Sequence, residues 1–488
     1  MSFQGRRKTI MHSFLRPLLL TSSSDWIMRC GSYLLVVMAC DLPPALAQAQ
    51  TLTTLYSFSG GSDGGHPYGS LIADGSGALY STTFEDLGTV FKLTPPPPTG
   101  GPWTKSVLHS FTGNPDGQAP FSALIADASG TLYGTTPGGG TTPAGTVYKV
   151  TPPTTTGGAW TETVLYSFTN GSDGGQPPAA LTADPSGALY GPAPYGGASG
   201  NGVVFKLTPP TATGGAWTET VLYSFSGGTD GTSPNGSLIA DASGALYGTT
   251  TSGGTGSSGT VFKLTPPTTT GGAWTETVLY TFTGSPDGAS PFVGLIADAS
   301  GALYGATYNG GTSGNGTVFK LTPPTTTGGA WTETVLYSFS GSDGANPRGS
   351  LIADAEGAHY GTTFLGGAGS SGTVFKLTPP ATTGGAWTET VLYSFTGGSD
   401  GANPPAALIA DTSGALYGTT NSGGGGYGTV FKLTLPARFT GVPGKANCHG
   451  QSISVLAKTY GGVGAAATTL GYASVTDLQS AVTSYCGN

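Results

Sequence analysis

One unit returns seven times in this chain at a period near 57 residues, and that regularity restricts the fold more than any single motif. A clean copy runs from Trp217 to Pro267: WTETVLYSFSGGTDGTSPNGSLIADASGALYGTTTSGGTGSSGTVFKLTPP. The Leu of its Leu-Tyr-Ser-Phe core stands at 55, 108, 165, 222, 279, 336 and 392, with spacings of 53, 57, 57, 57, 57 and 56. Self-similarity on this scale marks solenoids, propellers and arrays, in which each unit buries its apolar face against its neighbours. Gly (85) and Pro (36) are abundant enough to raise the question of disorder. Aromatic residues held at fixed places in every copy answer it, because they supply a core.

Each repeat contains four strand-like runs. Strand A is Trp217 to Phe225, where period-two alternation puts Trp217, Glu219, Val221, Tyr223 and Phe225 on one face and Leu222 on the other. Strand B is Gly236 to Ala240, strand C Ala245 to Thr250 and strand D Val261 to Leu264. Only Asp241-Ala242-Ser243-Gly244 separates B from C, a tight turn with a Gly for the left-handed position. Its Asp recurs as Asp74, Asp127, Asp184, Asp298, Asp354 and Asp411, and strand C carries a Tyr in every copy. The strands therefore form an antiparallel sheet of order B-C-D-A. Seven such sheets read as an all-β, seven-bladed β-propeller. Small residues on the inner strand (Gly236, Ser237, Ala240) suit a crowded central channel.

The array begins on a strand A, at residues 51–58, and ends on a strand D, at 429–433. Blade boundaries are thus offset from the repeat, and the N-terminal strand is expected to complete the seventh blade and close the ring without an exposed edge. Lys206 on D and Glu219 on A fall symmetrically about their hairpin loop, as do Lys263/Glu276 and Lys320/Glu333. These read as cross-strand ion pairs, with Lys105 opposite Lys92 in the departing second copy.

The run LIADASGALYGTT, a Gly-rich loop and then GTVFKL resembles the GloVer (Gloeo/Verruco-type) tandem repeat, over about residues 51–437. That resemblance implies an exported, secreted or surface-anchored bacterial propeller-like array. It carries no activity and no site residues.

Residues 1–47 read as a cleaved secretory signal: Arg29, an apolar run from Tyr33 to Ala39, and an Ala-x-Ala end at Ala45-Leu46-Ala47. The run is too short to span a membrane. A lipoprotein cysteine at Cys40 is the alternative. The remaining chain carries 12 Lys/Arg against 23 Asp/Glu, net −11, which argues against nucleic acid and anionic membranes as partners.

Copies differ in length in the C-to-D and A-to-B loops, which leave the ring on one end, the upper face. Just after the Pro of the A-to-B loop come Tyr68, Phe121, Pro178, Asn235, Phe292, Arg348 and Pro405. At the mouth of the channel, Tyr68, Phe121 and Phe292 offer stacking surfaces and Asn235 and Arg348 hydrogen bonds. That mix suits a glycan or a protein ligand. An Asp-Gly ring (Asp63, Asp116, Asp173, Asp230, Asp287, Asp343, Asp400) is weighed as Ca²⁺ ligands and read as turns, because the dense spacing of a calcium loop is missing. Catalytic groups are sparse. The histidines His109 and His359 replace repeat residues, and Glu85, Asp86 and Arg348 are the only leads toward a polysaccharide hydrolase or lyase, which needs two carboxylates across one bond. The expectation is a secreted, monomeric, non-catalytic binding protein without a cofactor.

After Pro436 the repeat stops. Residues 437–447 read as a linker and 448–488 as a helical tail. Ile453, Leu456, Ala457 and Tyr460 follow helical spacing, Ala465 to Leu470 makes a second helix, and Ser474 with Asp477 caps a third. Cys448 and Cys486 bracket this module and are expected to pair.

Overall fold

The computed structural model describes residues 50–436, apart from the single positions 156, 213, 270, 327 and 383. In the tail it describes residues 452–457, 462–469, 472 and 474–486. Seven antiparallel sheets follow one another with strand order B-C-D-A. The third blade is representative: Thr182–Ala183, Leu189–Ala193, Val203–Thr208 and Thr218–Ser224 pair in that sequence. The protein is a seven-bladed β-propeller. Its last blade takes strands B, C and D from Ile409–Ala410, Leu416–Thr420 and Thr429–Thr434, and its outer strand from the N-terminal Thr51–Ser57. The closing pair runs from Thr51↔Thr434 to Ser57↔Thr429. The edge of strand D in the seventh blade is thereby paired.

The core lies between successive blades. Phe225, fully buried after the outer strand of blade 3, meets Phe262 of blade 4 edge-to-face at 5.2 Å, and Tyr223 packs on Phe225 at 5.1 Å. The same stack recurs around the ring, as His109–Phe111–Tyr148 in the second copy, and Phe58 makes it to Phe91 where the chain closes. Each buried Phe contributes about 1.5–3 kcal/mol of hydrophobic stabilisation.

Strand A does not alternate strictly. A β-bulge interrupts it in all seven blades, between Val204 and Phe205 on the partner strand of blade 3. Val204 pairs with Tyr223 and Phe205 with Val221, so Leu222 is the extra residue. Its side chain enters the interblade core with Val204 and Leu246 instead of facing away from it. Strand B is also shorter than its sequence suggests, since only Ile239–Ala240 are paired. Ala240 is exposed on the lower rim. Residues ahead of the pair line the channel closely: a Cβ on Gly236 would fall 2.4 Å from the Val293 carbonyl oxygen of the next blade. A side chain at that position does not fit.

The lysine–glutamate pairs are not formed. Lys206 lies opposite Thr220, and Glu219 opposite Leu207. The offset from the expected register is one residue, which puts the two side chains on opposite faces of the sheet. The repeat lysines sit over the strand-C tyrosines, as Lys263 does over Tyr247 at 5.2 Å, near the turn aspartate, with Lys263 Nζ 3.9 Å from Asp241. The glutamates face the Asp of the preceding A-to-B loop. Burial first, and the Asp230 carboxylate second, push Glu276 up to about 7. Glu162, Glu219, Glu333 and Glu389 behave alike beside Asp116, Asp173, Asp287 and Asp343, and in all five glutamates Oε1 is buried without a hydrogen-bond partner. Lys105 is likewise not opposite Lys92. It stands at the glutamate position of blade 1 and ion-pairs with Asp63 at 3.0 Å, its side chain almost wholly buried.

In the tail, residues 452–457 and Val463–Thr469 and Val475–Cys486 are helical. Asp477 N–H donates to Ser474 Oγ at 3.1 Å, and that hydroxyl donates back to Asp477 Oδ2 at 2.8 Å, which caps the third helix. Leu456, Ala466, Ala467, Leu478, Val482 and Cys486 form its small core. Tyr460, the linker and Cys448 lie outside the described residues, as does the signal segment. Among the described residues, no helix is long and apolar enough to cross a membrane.

Candidate functional site at the channel mouth

The A-to-B loop carries the chain from the outer strand of one blade to the inner strand of the next. Before it arrives, it runs antiparallel beside the upper end of strand C. Thr232–Pro234 pairs with Ser252 and Thr250, Ala345–Pro347 with Leu365 and Thr363, and single bridges such as Pro67↔Thr83 and Gln118↔Gly138 do the same elsewhere. In all seven copies the residue before the loop Pro takes a left-handed backbone: His66, Ala119, Gln176, Ser233, Ser290, Asn346 and Asn403, with φ between 54° and 57°. None is a glycine, so each holds a conformation that L-residues disfavour by roughly 1 kcal/mol or more. The turn delivers the residue two positions later to the mouth of the channel.

There the structure gathers Tyr68, Phe121, Asn235, Phe292 and Arg348, with Pro178 and Pro405, around one cavity of about 460 Å³. The seven residues come from seven copies and one repeat position. A second ring was missed in the sequence: the residue after Thr83, Thr136, Ala193, Thr250, Thr307, Thr363 and Thr420 of strand C, which is Phe84, Pro137, Pro194, Thr251, Tyr308, Phe364 and Asn421 around the propeller. Phe84, Pro137 and Pro194 line the cavity, and Tyr308 and Phe364 touch Arg348. The available signal was variation: this position takes Phe, Pro, Thr, Tyr or Asn, while the Leu-Tyr-Gly-Thr-Thr run before it departs only at Ser81, Pro192, Ala193, Ala306 and His359. Pairing of the loop with strand C explains why both rings meet.

The mouth is asymmetric. Tyr68, Phe84 and Phe121 form an aromatic cluster across blades 1 and 2, with ring centres 5.2 to 5.9 Å apart. From blade 6, Arg348 reaches over to blade 1, where its Nη1 donates to the Tyr68 hydroxyl. Its guanidinium carbon lies 4.7 Å from the Phe364 ring centre, 5.4 Å from Phe292, and 5.5 Å from Tyr68 and Tyr308. Burial raises the Tyr68 hydroxyl above its ordinary pKa, against the opposing pull of Arg348, so the phenol stays neutral and keeps a proton to donate. Ser70, Ser122, Ser237 and Ser350, with Gln176 and Tyr195, add further polar groups to the lining. Among the described residues, no Asp, Glu, His, Lys or Cys lines the cavity.

The acidic leads lie elsewhere. Glu85 covers Gly65, where a Cβ would fall 2.3 Å from its Oε2, and Asp86 is exposed. His359 is buried between Tyr304 and Trp387, and burial lowers its pKa. The Asp-Gly ring is occupied by turn hydrogen bonds: Asp230 accepts from Ser226 N–H at 2.7 Å, Ser226 Oγ at 2.7 Å and the Tyr223 hydroxyl at 3.1 Å. His109 stands where other copies have that Tyr, with Nε2 3.1 Å from Asp116, and ligand atoms of His109, Asp116 and Glu162 lie within 4.8 Å of one another.

The Gloeobacter/Verrucomicrobia repeat family model matches residues 45–227, 161–352 and 324–452, which together span the propeller. The chain belongs to that family. No curated protein matches this Gloeobacter/Verrucomicrobia repeat chain. Similar solved structures include the extracellular domain of a protein described as a one-component system from B. thetaiotaomicron, at 14% identity and TM-score 0.47, covering 80% of this chain and 42% of that one. A family AA12 carbohydrate-active enzyme from Trichoderma reesei, in a calcium structure, shows 14% identity and TM-score 0.40 over 79% and 96% of the two chains. A protein described as a 6-phosphogluconolactonase from Bacteroides fragilis shows 16% identity and TM-score 0.42 over 77% and 89%. Likeness at this level says nothing about what the Gloeobacter/Verrucomicrobia repeat chain binds or does.

Proposed function

We propose that this propeller is an exported, non-catalytic binding protein that holds a glycan or protein ligand in the cavity at its upper mouth. One observation carries the reading. Residues from all seven copies converge on a single concave site, and this site is where the copies differ most in chemical kind. Variable side chains on a rigid scaffold are how binding sites are commonly built. A cavity of 460 Å³ with aromatic walls and a few polar groups is of ligand-binding size. Export rests on the signal-like residues 1–47, and a Cys448–Cys486 disulfide would suit an oxidising compartment. Closing that loop would stabilise the tail by roughly 4 kcal/mol.

The test is a screen of the purified chain against glycan and protein arrays, repeated with Phe121→Ala and Phe292→Ala. A ligand retained by the wild type and lost by both variants, with unchanged melting, is the expected result. Ligands that bind all three proteins equally would refute the site. N-terminal sequencing of the exported protein should begin at Gln48, and non-reducing mass spectrometry should find one disulfide.

A further inference from the structure

Within the proposed binding role, on which this inference rests, we infer that the cavity takes an acidic sugar, a glycan unit whose carboxylate sits on Arg348. Among the described residues, Arg348 is the only charged group in the lining, and it is half-buried. Among the described residues no carboxylate pairs with it. Burying an unpaired charge is costly. Four aromatic rings within 5.5 Å offset part of that cost through their negative faces. They do not satisfy its donors. The guanidinium has five N–H groups, and the structure gives it one hydrogen bond, to Tyr68, while Nε is buried and unpartnered. A carboxylate completes this arrangement, because the planar fork of a guanidinium matches two carboxylate oxygens.

The rest of the lining says what carries the carboxylate. Flat rings at Tyr68, Phe84 and Phe121 stand on one side of the mouth and Phe292 on another, suited to the C–H face of a pyranose. Asn235 and the hydroxyls of Ser70, Ser237 and Ser350 are spread around the circumference, as a polyhydroxylated ring requires. A peptide carboxyl terminus would call for a strand edge or a row of free backbone N–H groups. The link backbone at the mouth is already paired with strand C. Among the described residues no acidic group lines the cavity, so none there repels a uronate.

Titration calorimetry on the full chain, with trimers of galacturonate, glucuronate and mannuronate, tests this directly. Each is compared with its carboxyl-reduced neutral counterpart. At least one acidic trimer should bind ten-fold or more tightly than its neutral twin, and the difference should disappear in Arg348→Met and shrink at high salt. Asn235→Ala should weaken both forms alike. Equal binding of charged and neutral trimers, lost in Phe121→Ala, would overturn the carboxylate assignment and leave the binding role standing. No binding of any trimer would overturn the acidic-sugar assignment. If array ligands also then ignored the cavity variants, the binding role would fall with it. Binding of a free-carboxylate peptide but not its amide, with no acidic trimer bound, would overturn the sugar assignment.

Discussion

The two ends of this propeller are built from the same seven copies and have opposite chemistry. At the lower end the B-to-C turns repeat one hydrogen-bonded device, with Glu356 standing in place of the Ser in the sixth. Asp241 accepts from Ser243 N–H at 2.8 Å, Ser243 Oγ at 2.6 Å, Ala245 N–H at 3.1 Å and the Tyr247 hydroxyl at 2.9 Å, beneath the lysine on the neighbouring strand. At the upper end, the equivalent positions hold Tyr, Phe, Pro, Asn and Arg. Identity among copies serves the ring, because every blade meets its neighbour in the same way. Difference among copies breaks the seven-fold repetition, and an asymmetric ligand needs such a break. The lower end is scaffold, and the upper end is the candidate site.

Four experiments test that contrast. Deleting residues 51–58 removes the outer strand of blade 7 together with Phe58, and should cost at least the ~3–5 kcal/mol of one buried Phe. An unchanged melting temperature would mean that the closure does not hold the ring. Asp241→Ala strips four accepted bonds from one lower turn and should cost about 1–3 kcal/mol in chemical denaturation, without touching ligand binding. A pH series should show a smaller, graded effect. Five glutamates raised to about 7 contribute stability that is intact below the ordinary carboxylate range and lost as pH rises through 7. For the turn aspartates, burial would raise the pKa, but hydrogen bonds from Ser and Tyr outweigh it and hold them low. Their contribution is lost only as pH falls below about 4. Melting should therefore be highest near pH 5, and Glu276→Gln should flatten part of the alkaline loss. A melting temperature that climbs steadily from pH 5 to 8.5 would contradict the carboxyl pairing. Least of all, Asn235→Ala should move stability by no more than about 0.5 kcal/mol. A large loss there would make the mouth part of the scaffold.

Most of the scaffold was legible because periodicity reports it directly. Turn residues, strand order and the closing strand all follow from where the repeat starts and stops. What escaped was register. Counting symmetrically about the D-to-A loop put Lys206 opposite Glu219, and the half-residue shift in the hairpin centre sent them to opposite faces. The bulge at Leu222 escaped as well, since no Gly or Pro in strand A marks it. At the mouth, one of two variable rings was read. Recognising Phe84 and Phe364 required knowing that the A-to-B loop lies along strand C, a contact between segments that the repeat alone does not pair.

The most direct measurement of the central claim is a ligand-bound structure of the whole chain. Ligand atoms are expected inside the upper mouth, against Tyr68, Phe121 and Phe292 and within hydrogen-bond reach of Arg348. A ligand seated instead on the repeated Asp-x-Ser-Gly turns of the lower end, with the mouth unoccupied, would contradict it.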